Sequence, residues 1–319
     1  MKSEDNRKKV IFCSSMEIGK YVLSNLFEKH WPISNVISLN KEHAAIYSVS
    51  AYASVESICK EHGTPVFYPQ NYSLKSETDQ NNISNMNGDL LIVVGWNRLI
   101  PKKILKLFPL GAIGIHGSSE LLPKGRGRSP INWSIIEGKK KFMTQLFFLD
   151  EGADAGNIID FFEFNITEMD DCKTVYYKNA MTAVILLERH LFSILNNKVK
   201  SQPQIGKPTF YPKRTPADGI IDWSKDCFVI YNLVRAVTHP YPGAFGHIGK
   251  NKVMIWRAHP FDFKIDDSNK APGEVVEVFP DKNFLVKTGN GLLLVTEYEF
   301  NSMENGSKDI RKGDYFEKL

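Results

Sequence analysis

Two side chains in the first half of the chain are of types that exchange protons near neutral pH. His116 follows an apolar run directly and opens the segment HGSSELLPKGRGRSP, residues 116–130, which is rich in Gly, Pro, Ser and basic residues. Asp154 lies in LDEGADAG, residues 149–156, again after an apolar run and between two glycines. A carboxylate near an imidazole favours the charged imidazolium, and such a pair can act as acid and base. A structural histidine and an ordinary turn aspartate are the alternatives.

The elements that must position this pair are predicted to alternate between strands and helices. Apolar runs predict strands at residues 10–13, 35–39, 89–94, 113–115 and 143–149. Helical patterns cover residues 18–27, 55–62, 100–108 and 175–195, with Ser14-Ser15 and Ser54 as caps and Pro101 in a first turn. This alternation predicts a doubly wound α/β domain, in which ligands bind beyond the carboxyl ends of the strands.

A second region begins near residue 205, where four prolines crowd a loop after the long predicted helix. Ser224 is a candidate cap for a helix that runs to about residue 238. The remainder predicts short strands joined by turns at residues 249–251, 280–283 and 289–291. We therefore expect a catalytic domain at residues 1–204 and a smaller β-barrel-like domain at residues 205–319.

Composition sets the broad class. The chain has 319 residues, of which 42% are hydrophobic and 24% charged, as in globular proteins of about two domains. Lys and Arg number 40 against 36 Asp and Glu, a net charge of +4 that does not argue for a nucleic-acid partner.

The cysteines and the N-terminus indicate the compartment. The four cysteines lack metal-ligand spacing and disulfide density, so we expect reduced thiols, no metal and a cytoplasmic protein. The charged N-terminus MKSEDNRKK runs into an apolar stretch too short for a signal peptide, and no run is long enough to span a membrane.

Several motifs together resemble a known family. Residues 111–130, GAIGIHGSSELLPKGRGRSP, and the later DEGADAG are similar to the 10-formyltetrahydrofolate-dependent formyltransferases, which include methionyl-tRNA formyltransferase and the sugar N-formyltransferases. The similarity combines a histidine after a strand, an LLPxxRG loop and an acidic DxG loop in the expected order. KRTPADGIIDW, residues 213–223, and VRAVTHPYPGAF, residues 234–245, resemble the formyltransferase domain that modifies UDP-4-amino-4-deoxy-L-arabinose.

The resemblance implies a Rossmann-like catalytic domain that transfers a formyl group from 10-formyltetrahydrofolate to a primary amine. It implies that His116 handles protons and that Asp154 holds the histidine and favours its charged form. It places folate contacts at Arg98, Leu99, Ile100, Arg128, Asp150, Glu151, Gly152 and Ala153. Arg128 could instead be an ordinary solvated arginine.

The sequence departs from the family at one position of chemical importance. The family has an asparagine two residues before the histidine, thought to stabilise the oxyanion, and this chain has Gly114 there. The chain also has two extra residues between the histidine and the LLP motif. Substitute donors are Asn97, a backbone N–H group or protonated His116 itself.

Three hypotheses for the acceptor remain open. The first is the amine of a UDP- or dTDP-linked amino sugar, as in bacterial surface glycan biosynthesis. The others are methionyl-tRNA and a non-catalytic folate or nucleotide-sugar binder. The resemblance of residues 213–245 favours the sugar. The diphosphate of such a substrate could bind Arg214 or Arg235, although solvated arginines are the simpler interpretation. Tyr211, Tyr241 and Phe245 could stack on a base or sugar, or belong to the core. A homodimer also remains open.

Overall fold

The computed structural model describes residues 8–265, 269–301 and 309–317. The chain divides into two compact units. The first comprises residues up to Gly127, Lys141–Asn165 and Tyr176–Tyr211. The second comprises Arg128–Lys140, Ile166–Val175 and the residues from Pro212 onward. The second unit therefore includes two segments that lie between segments of the first unit in the sequence, and the boundary at residue 204 stays a prediction.

The first unit is built on a seven-stranded sheet. Its strands, in chain order, are β1 Val10–Cys13, β2 Ile33–Ile37, β3 Val66–Phe67, β4 Leu90–Val93, β5 Ala112–Ser118, β7 Lys141–Phe148 and β8 Ile158–Asn165. Their spatial order is β3-β2-β1-β4-β5-β7-β8. The strands from β3 to β5 pair in parallel, whereas β7 and β8 add to the sheet antiparallel. A separate pair joins β6 Arg126–Gly127 to β9 Phe210–Tyr211 in parallel.

Both faces of the central strands are buried. Along β1, Val10 and Phe12 enter one apolar cluster, while Ile11 and Cys13 enter another on the opposite face. Alternating side chains point to opposite faces of a strand, so a continuous apolar run is what a sheet covered on both sides requires. The helices are α1 Glu17–Glu28, α2 Lys41–Ile46, α3 Glu56–Glu61, α4 Glu77–Asn85, α5 Lys102–Leu105 and the long α7 Cys172–Leu195, which the second unit shares up to Val175.

The predicted doubly wound α/β domain is confirmed, with corrections to individual elements. The expected strand at residues 113–115 is longer than predicted, so β5 includes His116 instead of ending before it. The short β3 and the edge strand β8 were not predicted. In β8, exposed residues such as Phe161 and Glu163 alternate with half-buried ones, so no continuous apolar run marks this strand.

Two predicted helix caps are wrong. Met16 precedes α1, and the hydroxyl of Ser14 accepts a hydrogen bond from the Met16 N–H group instead of capping the helix. Asp226, not Ser224, caps the helix of the second unit, where its carboxylate accepts a hydrogen bond from the Phe228 N–H group at 2.8 Å. This carboxylate lies at the N-terminus of the helix, where its negative charge interacts favourably with the positive end of the helix dipole.

The second unit contains an antiparallel sheet of five strands in the order β10-β11-β14-β13-β12. These are β10 Ala244–Ile248, β11 Asn251–Pro260, β12 Val275–Val278, β13 Phe284–Lys287 and β14 Leu292–Asn301. The predicted turns at residues 280–283 and 289–291 lie between these strands, and the predicted turn at residues 249–251 runs into β11, which begins at Asn251. The unit also holds α6 Pro130–Ile136, α8 Cys227–Val237 and a 3-10 turn at Pro216–Gly219.

Residues 314–317 connect the two edges of this sheet. The Phe316 N–H group donates to the Gly273 carbonyl at the β12 edge, and the Glu317 N–H group donates to the His247 carbonyl of β10 at 2.8 Å. The Phe316 ring is fully buried and packs against Trp223, with ring centroids 4.7 Å apart. The segment thus closes the sheet into the barrel-like form expected from the sequence.

Within the second unit, α6 is held by the segments that follow in the sequence. The Asn132 amide donates to the Ala236 carbonyl of α8, and the Trp133 indole donates to the Pro212 carbonyl at 3.0 Å.

Arg235 is 6% exposed and donates to the Thr167 carbonyl at 2.9 Å. Burial lowers the pKa of the Arg235 guanidinium from its usual value. This arginine therefore serves to hold the 166–175 segment.

Two sequence expectations concern membranes and the N-terminus. Among the residues that the structure describes, no helix combines the length and apolarity needed to cross a bilayer. The first seven residues of the charged N-terminal stretch lie outside the described part of the chain.

Candidate active site

His116 lies inside β5, where its neighbours set the direction of its side chain. In the antiparallel pairing of β5 with β7, His116 stands opposite Gln145. Gly114 and Ser118 share its face of the strand, because alternate residues point to the same side. The His116 side chain is 7% exposed, so its ring contacts are set almost wholly by protein groups.

Both ring nitrogens of His116 face oxygen atoms. The Nε2 atom lies 2.8 Å from the carbonyl oxygen of Gly125, and the Nδ1 atom lies 3.5 Å from Oδ2 of Asp154. Because a carbonyl oxygen only accepts, Nε2 carries the hydrogen of this bond. The neutral ring therefore has its lone pair at Nδ1, on the side of the carboxylate.

The distance between Nδ1 and Asp154 is longer than a charge-assisted hydrogen bond, which is about 2.7–2.9 Å. The carboxylate is therefore close enough to stabilise a protonated ring without a tight bond to Nδ1. Nε2 is therefore engaged by the Gly125 carbonyl, whereas the contact of Nδ1 with Asp154 is longer.

Asp154 is held in an uncommon backbone conformation. Its φ of 50° is left-handed, which for a residue other than glycine costs energy unless surrounding contacts compensate. The Gly127 N–H group donates to its Oδ2 atom at 3.3 Å, and the Gln204 side-chain amide donates to its carbonyl at 2.7 Å. These contacts direct the carboxylate toward His116.

Gly125 must be glycine for two reasons. Its φ is 68°, and a Cβ atom there would lie 1.9 Å from the Ser118 hydroxyl oxygen. Its N–H group donates to the hydroxyl of Thr209 at 2.9 Å, while its carbonyl receives the bond from His116. The loop backbone is thus fixed on both sides of the bond to the histidine.

Gln145 is a buried polar residue that the sequence analysis did not select. Its side-chain oxygen accepts a hydrogen bond from the Leu122 N–H group at 2.8 Å, and its amide donates to the Glu120 carbonyl at 3.1 Å. It therefore holds the loop that contains the two extra residues. A fully buried glutamine inside an apolar strand is a signal that could have found it.

The space beside Gly114 is filled by another residue. A Cβ atom at position 114 would lie 2.7 Å from Cδ2 of Leu149. Leu149 follows β7 and is packed against the apolar cluster on its side of the sheet. The space that the asparagine side chain of the resembling family would take is therefore filled here by the side chain of Leu149. Asn97, one proposed substitute, offers its N–H group to the Tyr72 hydroxyl at 2.9 Å.

All the residues implied as folate contacts except Arg128 lie on two loops of the first unit, and an ion pair ties these loops together. The Lys102 ammonium forms an ion pair with Glu151, which raises the pKa of Lys102 above its usual value. Leu99 is 58% exposed, whereas Ile100 is buried. The exposed Arg98 guanidinium covers the Tyr72 ring. Of the other loop, the exposed members are Asp150, Glu151 and Gly152, and Ala153 is half-buried.

The remaining candidates are distributed between the two units. Tyr211 is half-buried on β9, opposite Gly127 of the first unit. Arg128 is exposed in the second unit, which also contains the half-buried Tyr241. Phe245 is 7% exposed, and the Lys252 ammonium lies 3.7 Å from its ring centre. The stacking roles of these aromatic residues stay predictions.

Across the described ranges, no three His, Cys, Asp or Glu residues are grouped so as to hold a metal ion.

The fold and the site together define an open α/β protein, with a histidine and a carboxylate beside a glycine-rich loop, followed by a β-barrel. The chain belongs to the formyltransferase family. The family model "Formyl transferase" matches residues 8–191, and the model "Formyl transferase, C-terminal domain" matches residues 213–309. The protein is thus an enzyme that transfers formyl groups.

Two relatives illustrate the range of the family. The chain is 34% identical over 274 residues to the bifunctional polymyxin resistance protein ArnA of Wigglesworthia glossinidia brevipalpis, covering 85% of this chain and 40% of that protein. It is 32% identical over 308 residues to the methionyl-tRNA formyltransferase of Ruminiclostridium cellulolyticum, covering 96% and 95%. The chain thus spans less than half of the first relative and nearly all of the second.

Solved structures share the fold. An N-formyltransferase from Helicobacter canadensis, solved with folinic acid and dTDP-3-aminofucose, has a TM-score of 0.66 at 17% identity and covers 92% of this chain and 99% of its own. HypX from Aquifex aeolicus, solved with tetrahydrofolic acid, has a TM-score of 0.66 at 18% identity and covers 97% of this chain and 50% of its own. At these identities the likeness establishes the fold alone.

Proposed function

We propose that this enzyme transfers the formyl group of 10-formyltetrahydrofolate to the amine of a UDP- or dTDP-linked amino-deoxy sugar. The observation that carries the chemical part of this proposal is the geometry of His116, whose Nε2 atom is bonded to a carbonyl and whose Nδ1 atom faces Asp154. This geometry leaves a basic nitrogen next to a carboxylate, as proton transfer from an attacking amine requires.

The proton steps follow from the same geometry. The amine nitrogen forms a bond to the formyl carbon, and His116 Nδ1 accepts the proton that the amine must lose. The resulting imidazolium donates from Nε2 to Gly125 and is stabilised by the negative charge of Asp154. The same Nδ1 atom returns the proton to the nitrogen of the folate when the bond between that nitrogen and the formyl carbon breaks. No covalent intermediate with the enzyme is needed.

The residues of the first unit suit a reduced folate. Bound 10-formyltetrahydrofolate would supply the activated formyl carbon. The ion pair between Lys102 and Glu151 ties two loops together, of which one carries the exposed apolar side chain of Leu99 and the other exposes the backbone of Gly152. A pterin presents a flat face and an edge of donors and acceptors, so it needs both kinds of group.

Two observations support a nucleotide-linked sugar as the acceptor. Residues 213–245 resemble the formyltransferase domain that acts on a UDP-linked amino sugar. The Helicobacter canadensis structure, which shares the fold, was solved with a dTDP-linked amino sugar. Tyr211 is the proposed stacking residue in the unit that contains His116, and Tyr241 and Phe245 are proposed contacts in the second unit. The buried cysteines fit a reducing compartment such as the cytoplasm.

Methionyl-tRNA is the second candidate acceptor, because the Ruminiclostridium cellulolyticum relative matches this chain over 95% of its own length. A tRNA acceptor predicts binding that weakens steeply with salt, since phosphate neutralisation releases counterions. The net charge of +4 gives this candidate little support.

The two acceptors are distinguished by one assay. Purified protein is incubated with 10-formyltetrahydrofolate and, separately, with a panel of UDP- and dTDP-linked amino sugars and with initiator methionyl-tRNA. We expect release of tetrahydrofolate and a formylated sugar with at least one member of the panel. Turnover with methionyl-tRNA and with no sugar would overturn the sugar assignment while keeping formyl transfer. Turnover with neither would overturn both.

A further inference from the structure

Residues 204–211, which come after α7 in the sequence, form hydrogen bonds both to the loop whose carbonyl binds His116 and to the loop that carries Asp154. We refer to them as the 204–211 segment. Gln204 lies at its start, and its side-chain amide donates hydrogen bonds to the carbonyls of Asp154 and Gly156, both at 2.7 Å. Its side-chain oxygen accepts a hydrogen bond from the Arg126 guanidinium. One side chain therefore joins the Asp154 loop to the loop that ends at Gly127.

Thr209 lies near the C-terminal end of the 204–211 segment. Its hydroxyl accepts the Gly125 N–H group at 2.9 Å, and its carbonyl accepts the Arg126 N–H group at 3.0 Å. Its own N–H group donates to the Pro123 carbonyl at 3.3 Å. The pairing of β9 with β6 continues this contact to Tyr211. The Gly125 peptide is thus fixed to the 204–211 segment immediately beside the carbonyl that receives the His116 bond.

We propose that Gln204 and Thr209 are positioning residues that set the tautomer and the orientation of His116 relative to Asp154. This inference rests on the proposed function, in which His116 Nδ1 exchanges the proton. Thr209 acts through Gly125 on Nε2, and Gln204 acts through the backbone of Asp154 on the carboxylate that faces Nδ1. Neither side chain hydrogen-bonds the histidine within the described residues.

The chemistry requires this support because the two partners of His116 lie on separate loops. A shift of either loop by 1 Å would change the 2.8 Å bond or the 3.5 Å separation substantially. Misplacement of this size costs catalysts on the order of a hundredfold in rate. If the Gly125 carbonyl moves away, the N–H group at Nε2 loses its hydrogen-bond acceptor. The Nε2-protonated tautomer is then no longer favoured, and the basic lone pair is no longer fixed at Nδ1.

The test compares matched variants in the full-length protein. Thr209→Val removes the hydroxyl with little change of shape, whereas Thr209→Ser keeps the hydroxyl and removes only the methyl group. Gln204→Met removes the amide at similar length. Gln202→Met is the matched control, because Gln202 is exposed and its side chain makes no hydrogen bond in the part of the chain that the structure describes.

Two quantities are measured on each variant. The first is the set of 15N chemical shifts of the His116 ring, identified by the signal missing from His116→Asn, which reports the tautomer without any acceptor or formyl donor. The second is kcat with its KM values. We expect the Nε2-protonated tautomer in the parent, Thr209→Ser and Gln202→Met. We expect altered ring shifts and a kcat lower by about tenfold to a hundredfold in Thr209→Val and Gln204→Met.

A purely structural role gives a different result. Thr209→Val and Gln204→Met would then melt at lower temperature with unchanged His116 ring shifts and unchanged kcat, and the proposal would be wrong. If the parent protein formylates no amine, the proposed function fails, but the ring shifts still decide whether the 204–211 segment controls the tautomer.

Discussion

Gln145 lies directly opposite His116 in the pairing of β5 with β7 and supports the loop that returns to the histidine. Its side chain binds the backbone of Glu120 and Leu122, and three residues later the carbonyl of Gly125 receives the His116 ring bond. One strand therefore provides the neighbour of the histidine and the anchor of its loop.

Replacing this anchor tests its contribution to folding. In Gln145→Leu, the buried N–H group of Leu122 loses its acceptor, which costs about 1–3 kcal/mol. We expect the free energy of unfolding in urea to fall by that amount and kcat to fall with it. Gln202→Leu, at an exposed position, serves as the control. An unchanged unfolding curve for Gln145→Leu would show that the loop does not depend on this side chain.

The second prediction concerns the histidine. His116→Asn removes the proton acceptor, and general base catalysis contributes on the order of a hundredfold to ten-thousandfold. We expect kcat to fall within that range, while the circular dichroism spectrum and the melting temperature stay close to those of the parent. Undiminished turnover in the purified variant would remove His116 from the mechanism.

The third prediction separates charge from shape at Asp154. Asp154→Asn keeps an oxygen that can accept from Gly127 but removes the charge that faces His116. We expect a lower kcat with KM for the folate changed little. Asp160→Asn is the matched control, because Asp160 also pairs with a histidine, His190, at 2.7 Å, but on β8 and α7. Equal losses in the two variants would argue against a special role for Asp154.

The fourth prediction concerns the space beside Gly114. A Cβ atom in Gly114→Ala would lie 2.7 Å from Leu149, and overpacking of this kind costs about 1–3 kcal/mol. We expect reduced stability in Gly114→Ala and partial recovery in the double variant Gly114→Ala with Leu149→Val, both measured by urea unfolding. Additive effects of the two changes would mean that the side chains do not compete for this space.

Gly114→Asn extends the same experiment to catalysis. An amide at this position has to displace Leu149, on the face of β5 that carries His116. If a donor near the histidine is limiting, the variant should keep or raise the rate once Leu149→Val makes room. A collapse of kcat in the folded double variant would show that the bare backbone at Gly114 is required.

The fifth prediction concerns the pH dependence of the cysteines, all four of which are buried. Burial raises the pKa of Cys59 and Cys227 to about 11 and of Cys172 to about 12, and it raises that of Cys13 as well. Since the thiolate is the reactive form, the folded protein should resist a thiol-specific reagent at pH 8. Guanidinium-unfolded protein should react at four sites.

The same shifts fix the direction of the stability change. Folding favours the neutral thiols, so their contribution is complete below the ordinary thiol pKa of 9.0 and is lost as pH rises toward the raised values. The free energy of unfolding should therefore decline above about pH 9. Fast labelling of any cysteine in the native protein at pH 8 would contradict the first expectation, and a free energy of unfolding that does not decline above pH 9 would contradict the second.

The central strands could be predicted from the sequence because their burial on both faces produces unbroken apolar runs, as in β1 and β4. The pairing of His116 with Asp154 could be anticipated because both follow or lie within such runs. The edge strand β8 escaped prediction because its outer face is exposed. Gln204 and Thr209 also escaped, since their proline-rich segment has no periodicity and their partners are distant in the sequence.

The second unit includes residues 128–140 and 166–175, which lie between segments of the first unit in the sequence. This arrangement has a consequence for recombination within the family. A single crossover after residue 204 would give α6 and the 166–175 segment from one parent and α8 from the other. The Asn132 bond to Ala236 and the Arg235 bonds to Thr167 and Asp170 would then join residues of different ancestry. Chimeric enzymes should therefore fold best when residues 128–140 and 166–175 are exchanged together with the barrel.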